Sequence, residues 1–111
     1  MKEKFQLEFN LSNVSINVLW TSISTPVGLS EWFADKVAVD GENKNEFTFY
    51  WGKSFQKAIL VNNRLESYVK FRWDEDRQDP VKPYFELRIS IMELTNEVVL
   101  TVTDFAEPED K

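Results

Sequence analysis

The chain of 111 residues contains neither cysteine nor histidine. Without cysteine it has no disulfide framework, no thiolate nucleophile and no zinc–thiolate site. Without histidine it has no standard catalytic triad, no imidazole general base and no facial metal triad. Asp, Glu, Lys, Tyr, Ser and Thr remain for chemistry, so most common enzymatic routes are closed. We therefore expect a non-enzymatic protein that needs no cofactor and no metal.

Positive charge is in the minority, with 13 Lys and Arg against 19 Asp and Glu and a net charge of −6. The basic residues form no cluster, so phosphate backbones are repelled and nucleic-acid binding is disfavoured. No apolar run approaches the length of a membrane span. The opening segment "MKEKFQLEFN" carries charges where a signal peptide has its apolar stretch. These features predict a cytoplasmic protein.

Apolar residues are plentiful at 42%, with 14% aromatic and nine phenylalanines. This is enough for one core, and the length predicts a single domain over residues 1–111. Such an aromatic composition is typical of a curved sheet or a cavity, and tight packing of a solid core is the simpler interpretation.

Hydrophobic periodicity predicts a strand, two helices and then about six strands. Phe5, Leu7, Phe9 and Leu11 alternate with polar residues, as in a half-buried strand. The segment "VSINVLWTSIS" fits a strand or a helix, and a Ser12–Asn13 cap favours the helix. Thr25-Pro26 then predicts a cap and first turn of a second short helix that carries Leu29, Trp32 and Phe33, with Gly28 at a close backbone approach.

Alternating segments follow at 36–41, 45–52, 54–63, 65–73, 84–92 and 97–105, with turns near Asn62–Arg64 and at Thr95–Asn96. Each of these segments has one polar, solvent-facing side and one apolar side, which indicates antiparallel strands. The segment after Asp104 then resembles the opening turn of a helix, with Asp104 as cap, Pro108 in the first turn, and Glu107, Glu109 and Asp110 near the positive helix end. A solvated acidic tail is the alternative.

This arrangement, with "LWTSISTPVGLSEWFAD" at 19–35 and the closing "VVLTVTDFAEPED", resembles the START-like superfamily, also called the helix-grip or birch-pollen-allergen fold. Its nearest branch on these motifs is the activator of heat-shock-protein ATPase (AHSA-type) homologues and short bacterial START-like proteins. The resemblance covers residues 4–110. It implies an α+β fold with a curved antiparallel sheet of six to seven strands and two short helices after the first strand.

The same resemblance implies a long C-terminal helix across the apolar sheet face, and this sequence departs from the family there. We expect either a truncated chain or a natural short form that covers this face in another way. Without that helix, the apolar face would be partly open, and open apolar patches recruit partners. We expect a homodimer or another protein partner to cover this face, whose members are Phe5, Leu7, Phe49, Trp51, Phe71, Leu87, Ile89 and Leu100.

The aromatic residues are the main site candidates. As cavity walls they would hold a small hydrophobic molecule, and as core residues they would simply pack. The predicted cavity-lining set is Trp20, Trp32, Phe33, Phe49, Trp51 and Phe71.

Other constellations favour structural roles. The loop "WDEDRQD" at 73–79 lacks the glycine and closing glutamate of a calcium loop. Charged residues of the polar face, such as Glu66, Lys70 and Glu86, are predicted to form cross-strand ion pairs. The serines and threonines at 21–25 lack a base for nucleophilic catalysis.

Three functions follow from this sequence. The first is a START-like module that binds a hydrophobic ligand between sheet and helices. The second is a protein-interaction module, as the AHSA-type resemblance implies for chaperone ATPase activators. The third, an enzyme such as a cyclase or dehydratase, is known from more distant members of the fold and is disfavoured without histidine.

Overall fold

The computed structural model describes residues 3–11 and 14–106. Seven antiparallel strands form one sheet in the order β1-β7-β6-β5-β4-β3-β2, which leaves β1 and β2 at the two edges of the described sheet. Two short helices follow β1, so the α+β class and the predicted order of elements are confirmed. The strands are β1 (Glu3–Leu11), β2 (Lys36–Val39), β3 (Glu46–Trp51), β4 (Ser54–Arg64), β5 (Tyr68–Trp73), β6 (Phe85–Ile91) and β7 (Val98–Ala106).

The first helix, α1, spans Ile16–Ser24, which resolves the ambiguous segment as a helix. Its N-cap is Ser15, whose hydroxyl accepts the Val18 N–H at 3.1 Å. The predicted cap at Ser12–Asn13 lies outside the described residues. A serine in the extended conformation directly before the first turn satisfies the N-cap requirement, so that earlier pair is not needed.

The second helix, α2, spans Pro26–Ser30, and the predicted cap and N-terminal proline are confirmed. The Thr25 hydroxyl accepts the Gly28 N–H at 2.9 Å. The helix is shorter than predicted, because the chain leaves it in a turn that contains Trp32 and Phe33. The close approach at Gly28 is confirmed: a Cβ there would lie 2.1 Å from the Thr21 carbonyl oxygen.

The strands keep the predicted alternation, with changes at two ends. β4 runs on to Arg64 through a register shift between Leu60 and Asn62, so the predicted turn at Asn62–Arg64 instead lies at residues 65–67. Glu66 takes the left-handed conformation there (φ 58°). Asp104, predicted as a helix cap, belongs to β7. Residues 107–110 of that predicted helix start lie outside the described residues.

The core lies between the inner sheet face and the helices. Leu19 and Ile23 of α1 and Leu29 of α2 are buried against it, and α1 packs over β5 and β6 while α2 packs on β2. The helices therefore cover the middle and the β2 side of the sheet. The apolar face predicted to be partly open is largely covered, because five of its members are buried: Phe49, Phe71, Leu87, Ile89 and Leu100. Exposure remains at Leu7 of β1 and at Trp51.

Candidate functional site

The inner face of the central strands is filled by aromatic rings. Phe49 and Phe71 are 0% and 1% exposed, with ring centroids 5.7 Å apart in an edge-to-face arrangement. Phe85 stacks on Phe71 at 4.8 Å and on Trp73 at 4.6 Å. We call this set the aromatic cluster, and its members are Phe33, Phe47, Phe49, Phe71, Trp73 and Phe85. Its rings contact each other directly, so this part of the interior is a packed core.

An apolar groove of about 500 Å³ lies between α1 and the β1 side of the sheet. Two of its nine lining side chains, Ser22 and Glu31, are polar. Ligand sites are typically built in this way, with apolar walls and few polar groups. The apolar groove is lined by Phe9, Leu11, Val14, Val18, Leu19, Ser22, Glu31, Trp32 and Leu100.

The strand register builds the floor of the groove. Phe9 of β1 lies opposite Leu100 of β7, and Leu11 lies opposite Val98. Residues directly opposite each other point to the same sheet face, so Phe9 and Leu100 form adjacent parts of one surface. Phe9 is 46% exposed whereas Leu100 is 5% exposed, so the groove opens toward the β1 edge.

The opposite wall is fixed by hydrogen bonds between the helical elements. The Trp32 indole N–H donates to the Ser22 carbonyl oxygen at 2.8 Å, which holds the turn after α2 against α1. The Ser22 hydroxyl donates to the Val18 carbonyl oxygen at 3.0 Å. The Glu31 N–H donates to the Gly28 carbonyl oxygen at 3.1 Å, which places Glu31 directly after α2 at the groove. These bonds fix the orientation of the Trp32 side chain and the backbone position of Glu31.

The six predicted cavity residues do not all meet at one surface. Trp32 lines the apolar groove. Phe33, Phe49 and Phe71 belong to the aromatic cluster. Trp51 is 36% exposed and donates its indole N–H to the Phe33 carbonyl oxygen at 3.0 Å, and it lines a small depression beside the groove together with Trp32 and Phe33. Trp20, on α1, packs against the core.

Aliphatic residues form much of the groove wall, and the predicted cavity-lining set contains none of them. Four aliphatic residues of the wall are Leu11, Val14, Val18 and Leu19. The signal was present in β1, where Phe9 and Leu11 continue the alternation of an apolar face. Which positions of that face stay uncovered depends on where the helices pack, and periodicity does not report this.

The outer face of the sheet carries charge, in a different pairing from the one predicted. Lys70 lies opposite Glu86, but its ammonium group sits 4.1 Å from the Tyr84 ring centroid. Glu86 pairs instead with Arg88 of its own strand. Aromatic faces attract cations through their quadrupole, which explains why the cross-strand partner is a ring.

Within residues 3–11 and 14–106, no group of three or more acidic side chains is arranged to hold a metal ion. In the same part of the chain, no helix has the length and apolar character needed to cross a membrane.

Solved structures with the same fold come from several bacteria. A Bacteroides fragilis protein solved by NMR shares 43% sequence identity, with a TM-score of 0.69 and coverage of 98% of this chain and 77% of that one. The Aha1 dimer from Colwellia psychrerythraea is 11% identical, with a TM-score of 0.70 over 92% of this chain and 75% of that one. A Mesorhizobium loti protein is 14% identical, with a TM-score of 0.71 over 98% and 81% of the two chains.

The last two likenesses concern the fold alone. No curated protein matches the chain. The family model described as the START-like superfamily domain matches residues 1–111, over the same strand, helix pair and sheet that form the groove. The chain therefore belongs to the START-like superfamily.

Proposed function

We propose that this protein is a non-enzymatic binding domain that holds a small hydrophobic molecule in the apolar groove. START-like domains are generally binding domains, and some members are cyclases. The observation that carries the proposal is the groove itself: about 500 Å³ of space with apolar walls beside a fully packed aromatic cluster. Of the cavity residues predicted from the sequence, Trp32 would contact the ligand, whereas Phe49 and Phe71 lie in the packed aromatic cluster.

The size of the groove suits a molecule with a single alkyl chain or a small ring system, because ligand pockets typically occupy about 300–1,000 Å³. Each methylene group removed from water contributes about 0.8 kcal/mol. A twelve-carbon alcohol is therefore a suitable probe, since it tests apolar burial without charge.

The test is titration with 1-dodecanol, followed by displacement of a hydrophobic fluorescent dye, on the wild type and on Val18→Asn. Val18 lines the groove and is 61% exposed. A polar amide there should weaken binding about fivefold through the lost apolar contact. Val81→Asn is the matched control, because Val81 is 48% exposed and does not line the groove. Equal affinity in all three proteins, or no binding at all, would contradict the proposal.

A second candidate, protein interaction, is favoured by the exposed β1 edge. Leu7 and Phe9 of this strand are 51% and 46% exposed. An edge strand also presents unpaired backbone groups to any further strand. The occupant that fits is a second copy of β1 in antiparallel pairing centred on Gln6, because Lys4 would then lie opposite Glu8 and Phe5 opposite Leu7.

A charge swap tests this pairing in solution. Lys4→Glu would place like charges opposite each other at two symmetric positions, and the double variant Lys4→Glu with Glu8→Lys would restore the attraction. Each such pair contributes roughly 0.2–1 kcal/mol. Sedimentation equilibrium should show a wild-type dimer, a weaker dimer for the single variant, and recovery for the double variant. A wild type that stays monomeric at high concentration would exclude the interface.

A further inference from the structure

We propose that the apolar groove selects hydrophobic cations, such as a primary amine on an alkyl chain, over hydrophobic anions. This inference rests on the proposed function, since it names the chemical class of the ligand that the groove would hold. It is carried by the charges around the groove and not by its volume.

Among the described residues that line the groove, Glu31 is the one with a charged side chain. It is exposed, so its carboxylate reaches water at the groove mouth while the alkyl part of a ligand contacts the inner walls. The next residue, Trp32, lines the same wall, and an indole ring attracts cations as well as apolar groups. A carboxylate and an indole that line the same groove are both suitable partners for an ammonium head.

The other charged residues that line the space next to the groove are also acidic. Three depressions share lining residues with the groove. One shares Leu11 and Val14, a second shares Val18, Ser22 and Glu31, and a third shares Glu31 and Trp32. Glu97 lines the first of them and Asp35 lines the third. No Lys or Arg is found among the described residues that line the groove or these three depressions. At these residues a carboxylate ligand would therefore meet only like charge, in a chain whose net charge is −6.

The hydroxyl group of Ser22 does not reverse this preference. It already donates its hydrogen to the Val18 carbonyl oxygen at 3.0 Å, so its oxygen is left as an acceptor. An acceptor suits an N–H donor on the ligand and offers nothing to a carboxylate. Both polar side chains of the lining therefore favour a donor-bearing head.

The experiment compares three ligands of equal length: dodecylamine, 1-dodecanol and dodecanoate, each below its aggregation concentration. We expect the wild type to bind the amine roughly 3- to 10-fold more tightly than the alcohol, from an exposed ion pair and a cation–π contact. The carboxylate should bind most weakly. Raising the salt concentration should reduce the amine's advantage, because exposed charges are screened.

Glu31→Gln should remove most of the amine's advantage and leave the affinity for the alcohol within about twofold, because the amide keeps the shape of the side chain but not its charge. Glu42→Gln is the matched control: it makes the same change in net charge at an exposed residue between β2 and β3 that does not line the groove. It should keep the selectivity of the wild type.

The outcomes separate the two proposals. If the alcohol binds and the amine binds no better, cation selection is wrong and hydrophobic binding stands. If Glu31→Gln and Glu42→Gln reduce the amine's advantage equally, overall charge and not Glu31 causes the preference, and the site assignment is overturned. If none of the three compounds binds, the proposed function fails together with this inference.

Discussion

A single row of side chains across the inner sheet face shows how different its two sides are. Leu7 of β1, Val102 of β7, Leu87 of β6 and Val69 of β5 lie opposite one another in register. Leu7 is 51% exposed, whereas Leu87 and Val69 are 0% and 2% exposed. The residue types are alike, so the difference comes from the helices, which pack over β5 and β6 and leave β1 open.

The two sides therefore use apolar residues for different purposes. In the aromatic cluster, rings fill the space between sheet and helices, and burial of each large side chain stabilises the fold. Along the apolar groove, comparable residues keep part of their surface in water. Such surface contributes little to folding and remains available for binding, which is why the site is expected on the open side.

The largest effect should come from Phe49→Ala in the aromatic cluster. Phe49 is 0% exposed and lies against Phe33, Phe71 and Phe85. Removing the ring should lower the free energy of unfolding by about 3–5 kcal/mol, as for other buried phenylalanines. Urea denaturation followed by circular dichroism measures this. Phe9→Ala, at a ring that is 46% exposed, should cost clearly less, and equal losses would contradict the division into two sides.

Gly28→Ala should have the next largest effect. The new Cβ would lie 2.1 Å from the Thr21 carbonyl oxygen and 2.7 Å from the Ser22 Cα, so α1 and α2 would have to move apart. Overpacking of this kind costs about 1–3 kcal/mol, and here the contact is with backbone. Thermal unfolding should show a marked loss of stability. Gly41→Ala is the control, since a Cβ there meets nothing within 4 Å.

A smaller effect is expected for Thr25→Ala, which removes the N-cap of α2. The Gly28 N–H would lose its acceptor at 2.9 Å, and capping threonines contribute about 1 kcal/mol. Because α2 leads into the turn that carries Trp32, the groove wall should loosen and binding of the dodecanol probe should weaken. Thr25→Ser keeps the hydroxyl and should retain both stability and binding, and a serine variant as weak as alanine would exclude the cap as the cause.

The smallest effect on stability should come from Leu7→Ala. Half of this side chain is already in water, so the free energy of unfolding should fall by less than about 1 kcal/mol. Leu87→Ala, in the same row of the sheet, should cost about 2–5 kcal/mol. Parallel urea titrations compare the two. A loss at Leu7 as large as that at Leu87 would mean that β1 is covered in solution, for example by a second copy of the chain.

Local patterns predicted much of the fold. The alternation in β1, β3 and β6 assigned their inner faces correctly, and Thr25-Pro26 located the start of α2. The incorrect predictions occur where several neighbouring residues of one type could each fill the same role, as a cap or in a turn. Ser15 rather than Ser12–Asn13 caps α1, and Asn62 and Asn63, although typical of turns, continue β4 past a register shift.

The site was less predictable than the fold for a physical reason. Aromatic residues such as Phe49 and Phe71 are typical of cavity walls. Whether they line an empty space depends on whether aromatic rings from other strands occupy that space. Likewise, Glu31 and Leu100 line the same groove only through the packing of the helical segment on the sheet. Neither relation is local in sequence, so neither can be read from spacing.

The hydrogen bond from the Trp32 indole to the Ser22 carbonyl oxygen also holds a fluorescent side chain at the groove, so ligand binding can be followed by intrinsic tryptophan fluorescence. Trp32 stands at the mouth of the groove with 44% of its surface in water, so a bound guest would shield it and shift its emission to shorter wavelength. Trp20, Trp51 and Trp73 do not line the groove, and they supply a constant background against which that shift can be read without any added label.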